Sequence, residues 1–228
     1  MNKDILYIDE HILVINKPAG LSVLPEGWEK DAPYLVKMLE EEYSNLSTLP
    51  SGPGRRIWVV HRLDKFTSGV MVFALTAEAH RALNIQFEKH TVEKIYHAIA
   101  VGIPGWGEKV TKFPLRVNVG HKHRTMVDNK NGIRSETRFK VLKRYQANVL
   151  LEAMPMTGRT HQIRVHAYAL GYPLLGDILY SAPETDLIAR PALHAYSLAI
   201  DHPVSNEWVT FTAPYPTDLK KALERLNL

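Results

Sequence analysis

A short polar segment enclosed by two apolar runs constrains this chain more than any other feature. Residues 61–69 read HRLDKFTSG; the run IWVV precedes them and the run VMVFAL follows. Both runs are rich in β-branched and aromatic residues and predict strands. Polar groups this dense between two apolar strands are costly to desolvate unless they are paired. The segment predicts either a polar hairpin turn, in which Gly69 supplies an unusual backbone dihedral, or a site for chemistry built on Asp64.

Composition narrows the class of protein. The chain has 228 residues, of which 45% are hydrophobic and 23% charged, which predicts one large or two small globular domains with a full core. The sequence has no cysteine, which excludes disulfides, thiolate nucleophiles and cysteine-ligated metals. A signal peptide and an apolar run long enough to span a bilayer are absent, so we expect a cytoplasmic protein that does not bind membranes.

The eleven histidines raise the question of a metal hydrolase. His161 and His166 form one of the closest pairs, but their spacing puts the two rings on different faces of a helix, and no His-Glu-x-x-His pattern occurs. P-loop and Gly-x-Ser-x-Gly patterns are also absent. We therefore expect no metal and no cofactor.

Basic residues are concentrated between Lys109 and Arg144. This segment holds eleven lysines and arginines, and its only acids are Asp128 and Glu136. Such a stripe is typical of a surface that binds a polyanion such as RNA. It is equally typical of a solvated face, and the residues alone leave both interpretations open.

Hydrophobic periodicity elsewhere predicts short strands interrupted by a few helices. We expect antiparallel strand pairs over residues 5–16, 136–154 and 193–213, and helices over 31–43, 76–90, 160–170 and from 217 onward. Caps are predicted at Asp31, Thr76, Thr160 and Thr217. The NKNG turn at 129–132, flanked by Val127 and Ile133, predicts a hairpin tip. The fold class is α+β, with a mixed, mainly antiparallel sheet and flanking helices.

Three further side chains are candidates for the site on their local pattern. Tyr96 lies in a predicted strand, where a tyrosine usually packs in the core. Lys17 ends another strand and is either a surface lysine or a cation near the site. Arg164 shares one helix face with His161 and Tyr168 among apolar neighbours, so it should be buried and need a carboxylate partner, for which we expect Asp64.

Five segments, in order along the chain, resemble the motifs of the RluA-type pseudouridine synthases. They cover the chain from about residue 4 to 214 and read INKPAGLSV (15–23), HRLDKFTSG (61–69), EKIYHA (93–98), TGRTHQIRVH (157–166, with the pattern continuing through GYPLLGD at 171–177) and LHA (193–195). The resemblance implies the pseudouridine synthase fold with a central RNA-binding cleft. It also implies the short form of the family, with one catalytic domain over residues 1–228 and no N-terminal S4 domain.

The resemblance implies an isomerase that converts uridine to pseudouridine in tRNA, rRNA or both. By this resemblance Asp64 is the essential catalytic residue, Tyr96 stacks on the target base, Leu193 packs on the other side of the site, and Arg62 fills the gap left by the flipped base. The alternative for Arg62 is a contact to a phosphate at the protein surface. Arg164 would hold Asp64 ionised and aimed. The implied partner is RNA, and we expect a monomer.

Two questions stay open at the level of sequence. Asp64 either adds to the sugar carbon or removes a sugar proton, and both paths have an electron-poor sugar like that of glycoside cleavage. The alternative to an enzyme is a non-catalytic RNA-binding module, which would keep the basic stripe and Tyr96 but would not need Asp64.

Overall fold

A computed structural model describes residues 4–25, 33–43, 56–120 and 124–227 of the chain. The chain divides into two compact units, each built from two separate segments. The first unit comprises Met1–Glu93 and Ser197–Pro214, and the second comprises Lys94–Tyr196 and Tyr215–Leu228. Within the described residues, no helix is long and apolar enough to cross a membrane.

Twelve strands and four α-helices make up the described chain. The strands are β1 (Ile5–Ile8), β2 (Ile12–Lys17), β3 (Trp58–Val59), β4 (Ser68–Ala74), β5 (Glu93–Val101), β6 (Glu108–Thr111), β7 (Leu115–Val119), β8 (Arg124–Val127), β9 (Thr137–Arg144), β10 (Asn148–Pro155), β11 (Leu193–Asp201) and β12 (Trp208–Thr212). The helices are α1 (Leu35–Tyr43), α2 (Ala77–Lys89), α3 (Gln162–Ala169) and α4 (Thr217–Leu226), with a short 3₁₀ helix at Ile178–Tyr180. The predicted α+β class with a mainly antiparallel sheet is confirmed.

The first unit carries the strands that flank the polar segment. Its strand order is β1-β2-β4-β11, with β3 paired to β4 and β12 paired to β11. β2 pairs antiparallel with β4, so that Lys17 lies opposite Gly69 at one end. β4 is buried along its whole length, because α2 covers one of its faces. Thr76 caps α2 as predicted, since its hydroxyl accepts a hydrogen bond of 3.2 Å from the Ala79 amide.

The second unit has the strand order β11-β5-β10-β9-β6. Alternation along the strands gives this sheet two apolar faces. Ala98, Phe139 and Ala153 lie on the face against which α3 packs through Ile163. The residue next to Ala98, Ile99, lies on the opposite face and packs against α4. β7 and β8 form a separate two-stranded hairpin.

Three local predictions about this part of the chain are wrong. α3 begins at Gln162 with His161 at its N-cap in the left-handed conformation, so Thr160 is not the cap. α4 is preceded by Pro216 at its N-cap position instead of being capped by Thr217.

The NKNG turn is also not a hairpin tip. Val127 and Ile133 both pair with Leu115 instead of with each other. The predicted cap at Asp31 lies outside the described residues.

Candidate active site

Asp64 lies at the start of a tight turn in the first unit. The Thr67 amide donates a hydrogen bond of 3.0 Å to the Asp64 carbonyl, which closes the turn. Asp64 is half-buried and Arg62 is exposed. Gly69 has a φ of 117°, so the unusual dihedral that the sequence predicted is present. The turn thus places a partly accessible carboxylate directly before a fully buried strand.

Lys17 anchors this turn. Its side chain is fully buried, and its ammonium donates to the carbonyls of Pro18 at 2.8 Å, Leu21 at 2.7 Å and Lys65 at 3.1 Å. The Gly20 amide donates to the same Lys65 carbonyl at 2.8 Å. The interpretation of Lys17 as a surface lysine is wrong. Its three hydrogen bonds join the loop after β2 to the residue next to Asp64.

His61 stabilises the strand that follows the turn. Its Nε2 accepts a hydrogen bond of 3.1 Å from the Val72 amide, and its ring stacks on Phe87 with centroids 4.7 Å apart. Because Nε2 is an acceptor, the neutral ring carries its proton on Nδ1. These contacts are those of a hydrogen-bonded structural residue.

Arg164 is buried in the second unit, as its apolar neighbours predicted. Its Nε donates to Oδ2 of Asp177 at 2.7 Å and its Nη2 donates to Oδ1 at 2.8 Å, so the two side chains form a bidentate pair. The Asp177 carboxylate is itself almost fully buried. The predicted need for a carboxylate is confirmed, and the partner within this unit is Asp177. The pairing of Arg164 with Asp64 stays a prediction.

The Tyr180 ring also packs against the Arg164 guanidinium. The guanidinium carbon of Arg164 lies 5.1 Å from the centroid of the Tyr180 ring. The Tyr180 hydroxyl donates to the Thr125 carbonyl and accepts from the Thr125 amide, both at 3.1 Å. His161 Nδ1 lies 3.0 Å from the same hydroxyl. The Tyr168 ring centroid lies 6.1 Å from that of Tyr180. The three side chains predicted to share a helix face, His161, Arg164 and Tyr168, therefore meet at one tyrosine.

Asp177 and Tyr180 were not predicted as site residues, because the segment after residue 176 lacks the hydrophobic periodicity of a helix or strand. The available signal was the family pattern that runs on to Asp177. Gly176 has a φ of 75°, and a Cβ there would lie 2.3 Å from the Arg190 carbonyl oxygen. Only glycine fits this position, and it sets the backbone path that delivers Asp177 to Arg164.

Tyr96 and Leu193 lie on the same side of the second unit's sheet as α3. Tyr96 is half-buried on β5 and packs against the apolar cluster that contains Leu193 and Ile163. Leu193 begins β11 and is almost fully buried. The structure therefore brings Tyr96 and Leu193 together on the face covered by the helix that carries Arg164.

A buried polar network holds the start of α3. The Gln162 side chain accepts from the Thr157 hydroxyl at 2.6 Å and the Arg159 amide at 3.1 Å, and it donates to the Thr137 hydroxyl at 2.9 Å. His166 bonds the same Thr137 hydroxyl at 2.9 Å and the Phe113 carbonyl at 3.0 Å. Burial lowers the pKa of His166, so the ring is neutral and its Nε2 donates to Phe113.

In the part of the chain that the structure describes, no three histidine or acidic side chains are grouped to hold a metal ion. Asp64 is the candidate catalytic residue of the site. Arg62, Tyr96, Arg164 and Leu193 are the candidates for substrate contact.

Comparison with known proteins identifies the family. A family model described as RNA pseudouridylate synthase matches residues 11–169. This chain belongs to that family. The matched span includes Asp64, Tyr96 and Arg164, and it stops before Asp177 and Leu193.

Curated relatives of this pseudouridylate synthase family member match over nearly its whole length. It is 39% identical over 239 residues to the ribosomal large subunit pseudouridine synthase D of Neisseria meningitidis serogroup A, covering 100% of this chain and 62% of the relative. It is 37% identical over 212 residues to the dual-specificity RNA pseudouridine synthase RluA of Escherichia coli K12, covering 92% of each. The chain thus spans less than two thirds of the Neisseria relative's length.

Solved structures agree with the family assignment. Human RNA pseudouridylate synthase domain containing 4 superposes with a TM-score of 0.79 at 25% identity, covering 99% of this chain and 94% of that one. Human RNA pseudouridylate synthase domain containing 1 gives a TM-score of 0.75 at 27% identity, covering 93% and 83%.

Proposed function

We propose that this protein isomerises uridine to pseudouridine in RNA, with Asp64 as the catalytic residue. The observation that carries the proposal is the Asp64 turn, anchored by Lys17, in a chain whose residues 11–169 match the RNA pseudouridylate synthase family. A carboxylate held by its backbone at the edge of a buried strand keeps a fixed position while its oxygens stay partly accessible. This is the arrangement that chemistry at a sugar carbon requires.

The proposed reaction balances within one nucleotide. The bond from sugar carbon C1′ to uracil N1 breaks, the base turns, and C1′ bonds to uracil C5; the C5 proton leaves and N1 gains a proton. Asp64 acts at the sugar, either by adding to C1′ or by removing a sugar proton, because the electron-poor sugar needs a carboxylate in both paths. The isomerisation consumes no oxidant, reductant or energy source.

Four residues receive substrate-binding roles in this proposal. Tyr96 offers a half-buried ring on which the flipped base stacks, and Leu193 supports it from the same apolar cluster. Arg164, locked between Asp177 and Tyr180, presents a fixed guanidinium that orients a carboxylate or substrate oxygen. Exposed Arg62 fills the space that the flipped base leaves in the RNA.

The substrate class follows from the relatives' names. One relative is named as acting on the large ribosomal subunit and another as having dual specificity. We therefore propose tRNA, rRNA or both as the substrate of this chain. We also propose a cytoplasmic monomer in which both compact units serve as one catalytic domain.

The test is pseudouridine mapping on total RNA from cells that carry or lack the gene. Cells that lack the gene are complemented with either the wild-type gene or the Asp64→Asn variant. Loss of defined sites, restored by the wild type alone, is the expected result. The matched control is Asp186→Asn, which removes a mostly exposed carboxylate paired with Arg225 and should restore every site. If no site is lost while RNA binding persists, the protein is a non-catalytic RNA-binding module and the proposal fails.

A further inference from the structure

The basic stripe between Lys109 and Arg144 is not one surface. Part of it lies on β9, a central strand of the second unit, and part on the β7–β8 hairpin and its following turn. The two parts differ in their neighbours, in the acids that surround them and in the face of the sheet on which they lie. These differences decide which part is free to bind a polyanion.

Two cations of β9, Arg138 and Lys140, lie on the face opposite Tyr96. Phe139 is buried against the α3 side of the sheet, so its neighbours Arg138 and Lys140 project to the other side. In the same way, the strand partner of Tyr96 is Ala153, while His97 and Glu152 alternate to the other face. Arg138 and Lys140 are therefore on the far side of the sheet from the side chain proposed to stack on the base.

Acidic neighbours also neutralise Arg138 and Lys140. Lys140 lies directly opposite Glu108 on β6 and Glu152 on β10, and Arg138 forms an ion pair of 2.6 Å with Glu108. The Arg138 ion pair and the nearby Lys140 charge lower the pKa of Glu108. Two cations and two carboxylates thus share this patch, which leaves no local excess of positive charge.

The hairpin has the opposite balance. The described stretch from Lys112 to Glu136, which includes β7 and β8, holds five cations and two carboxylates. Arg116 pairs with Asp128 at 3.1 Å, whereas Arg124 and Lys130 are exposed and form no ion pair with any described residue. Asp128 is further occupied by the amides of Lys130 and Asn131, each at 3.0 Å. The hairpin region therefore carries two exposed cations, Arg124 and Lys130, that no described carboxylate neutralises.

The hairpin is also fixed to the Arg164 cluster. Leu115 and Val127 pack against Val165 and Tyr180. The backbone of Thr125 makes two hydrogen bonds to the Tyr180 hydroxyl, and the Phe113 carbonyl is bound by His166 of α3. One tyrosine thus touches both the hairpin and the Arg164 guanidinium. Any charge on the hairpin is held at a constant position relative to that guanidinium.

We infer that the β7–β8 hairpin, through Arg124 and Lys130, is the surface that binds the phosphate backbone of the RNA next to the target uridine. The inference rests on the proposed function and divides the stripe: the hairpin positions RNA, and the β9 face does not. Phosphate contacts of this kind fix register without reading sequence. Each phosphate contact that is lost makes the slope of log binding constant against log salt concentration less steep by about 1.

The experiment compares two double variants that remove the same charge. Arg124→Gln with Lys130→Gln alters the hairpin, and Arg138→Gln with Lys140→Gln alters β9; all four side chains are exposed. Binding of a fluorescein-labelled RNA hairpin with a uridine-containing loop is measured from low to high salt. The slope of log binding constant against log salt concentration is negative. It should become less negative by about 1.5 in the hairpin variant and by less than about 0.4 in the β9 variant.

Turnover separates this inference from the proposed function. On an RNA that the wild type modifies, the hairpin variant should raise KM and leave kcat unchanged, because it loses positioning contacts outside the reacting atoms. Equal flattening of the salt slope in both variants, or a larger effect of the β9 variant, would overturn the division of the stripe. A wild type that binds RNA without forming pseudouridine would sink the proposed function, and the salt slopes would still decide the role of the hairpin.

Discussion

The turn that carries Asp64 and the cluster that carries Arg164 are stabilised in different ways. The turn is held by backbone groups: the Lys17 ammonium binds three carbonyls, and the Asp64 and Thr67 backbones bond each other. The Arg164 cluster is held by side chains, with a bidentate carboxylate on one side and an aromatic ring on the other. In the first region the supporting contacts described above are made by the Lys17 ammonium and by backbone groups, including the Asp64 carbonyl. In the second, the candidate substrate-binding side chain is itself part of the support.

This difference predicts how substitutions divide between activity and stability. Replacing Asp64 by asparagine keeps the backbone hydrogen bond that closes the turn and the size of the side chain, so activity should fall far more than stability. Replacing a member of the Arg164 cluster leaves a buried charge without its partner, so stability should fall as well.

The largest effect is expected from Asp64→Asn. Turnover should fall by at least about a thousandfold, because the substitution removes the carboxylate that acts at the sugar in the proposed reaction. The melting temperature should change by no more than a few degrees, and RNA affinity should be retained. Tritium release from C5-labelled uridine RNA measures the first, and thermal unfolding the second. A large loss of stability would contradict the comparison, since it would make Asp64 a structural residue.

Asp177→Asn should cost about 3 kcal/mol of unfolding free energy, because it removes the charge that compensates buried Arg164. Urea denaturation at neutral pH measures the loss. Asp186→Asn is the matched control, since it breaks an ion pair whose two side chains are 48% and 82% exposed and should cost under about 1 kcal/mol. Equal costs for the two substitutions would mean that the Arg164 cluster contributes no special stability.

Lys17→Met tests the backbone-held turn. The substitution leaves the carbonyls of Pro18, Leu21 and Lys65 without their ammonium donor, which should cost roughly 2 to 3 kcal/mol. We expect kcat to fall as well, measured well below the melting temperature, because Lys65 is adjacent to Asp64. Lys37→Met on the exposed face of α1 should change neither quantity. Normal kcat in a destabilised Lys17 variant would show that the turn keeps its geometry without the lysine.

A smaller effect is expected in the pH dependence of the stability of the second unit. Burial, and to a lesser extent the charge of His194, lowers the pKa of His97 to about 4. The unfolded chain has a histidine pKa of about 6.5 and binds the proton first, so stability is complete above pH 6.5 and is lost as the pH falls toward 4. The full loss is on the order of 3 kcal/mol.

His97→Phe should flatten this pH dependence while keeping a ring stacked on Tyr196. Urea unfolding at several pH values between 4 and 7 measures the slope. An unchanged slope in the variant would assign the acid sensitivity to other groups, such as His166 with its lowered pKa.

The fold was largely predictable because alternation and helical spacing are local signals. The strand pair from residue 136 to 154 and the helix after Thr76 follow such signals. Thr160 fails as a cap because His161 adopts the left-handed conformation and the Gln162 side chain binds the loop amide of Arg159 instead. The NKNG turn fails as a hairpin tip because Leu115 pairs with both of its flanks, a contact between distant positions.

The site was predictable only where a motif or a burial argument existed. Arg164 was expected to be buried because its helix neighbours are apolar, and this is confirmed. Asp177 was missed because it lies in a segment without periodicity, after a glycine whose role depends on the distant Arg190 carbonyl. Lys17 was assigned to the surface as one alternative because an ammonium bound by carbonyls leaves no pattern of acidic residues in the sequence.

The interleaved order of the two units has a consequence for biosynthesis. The core of the first unit includes Leu198, Ile200 and Ala213, so its N-terminal segment cannot complete its core until those residues have left the ribosome. The second unit likewise needs Leu219 and Ala222 of α4. Neither unit can complete its core before these later residues have been synthesised. Folding should therefore be late and dominated by contacts between distant positions, and the nascent chain is the form most exposed to aggregation.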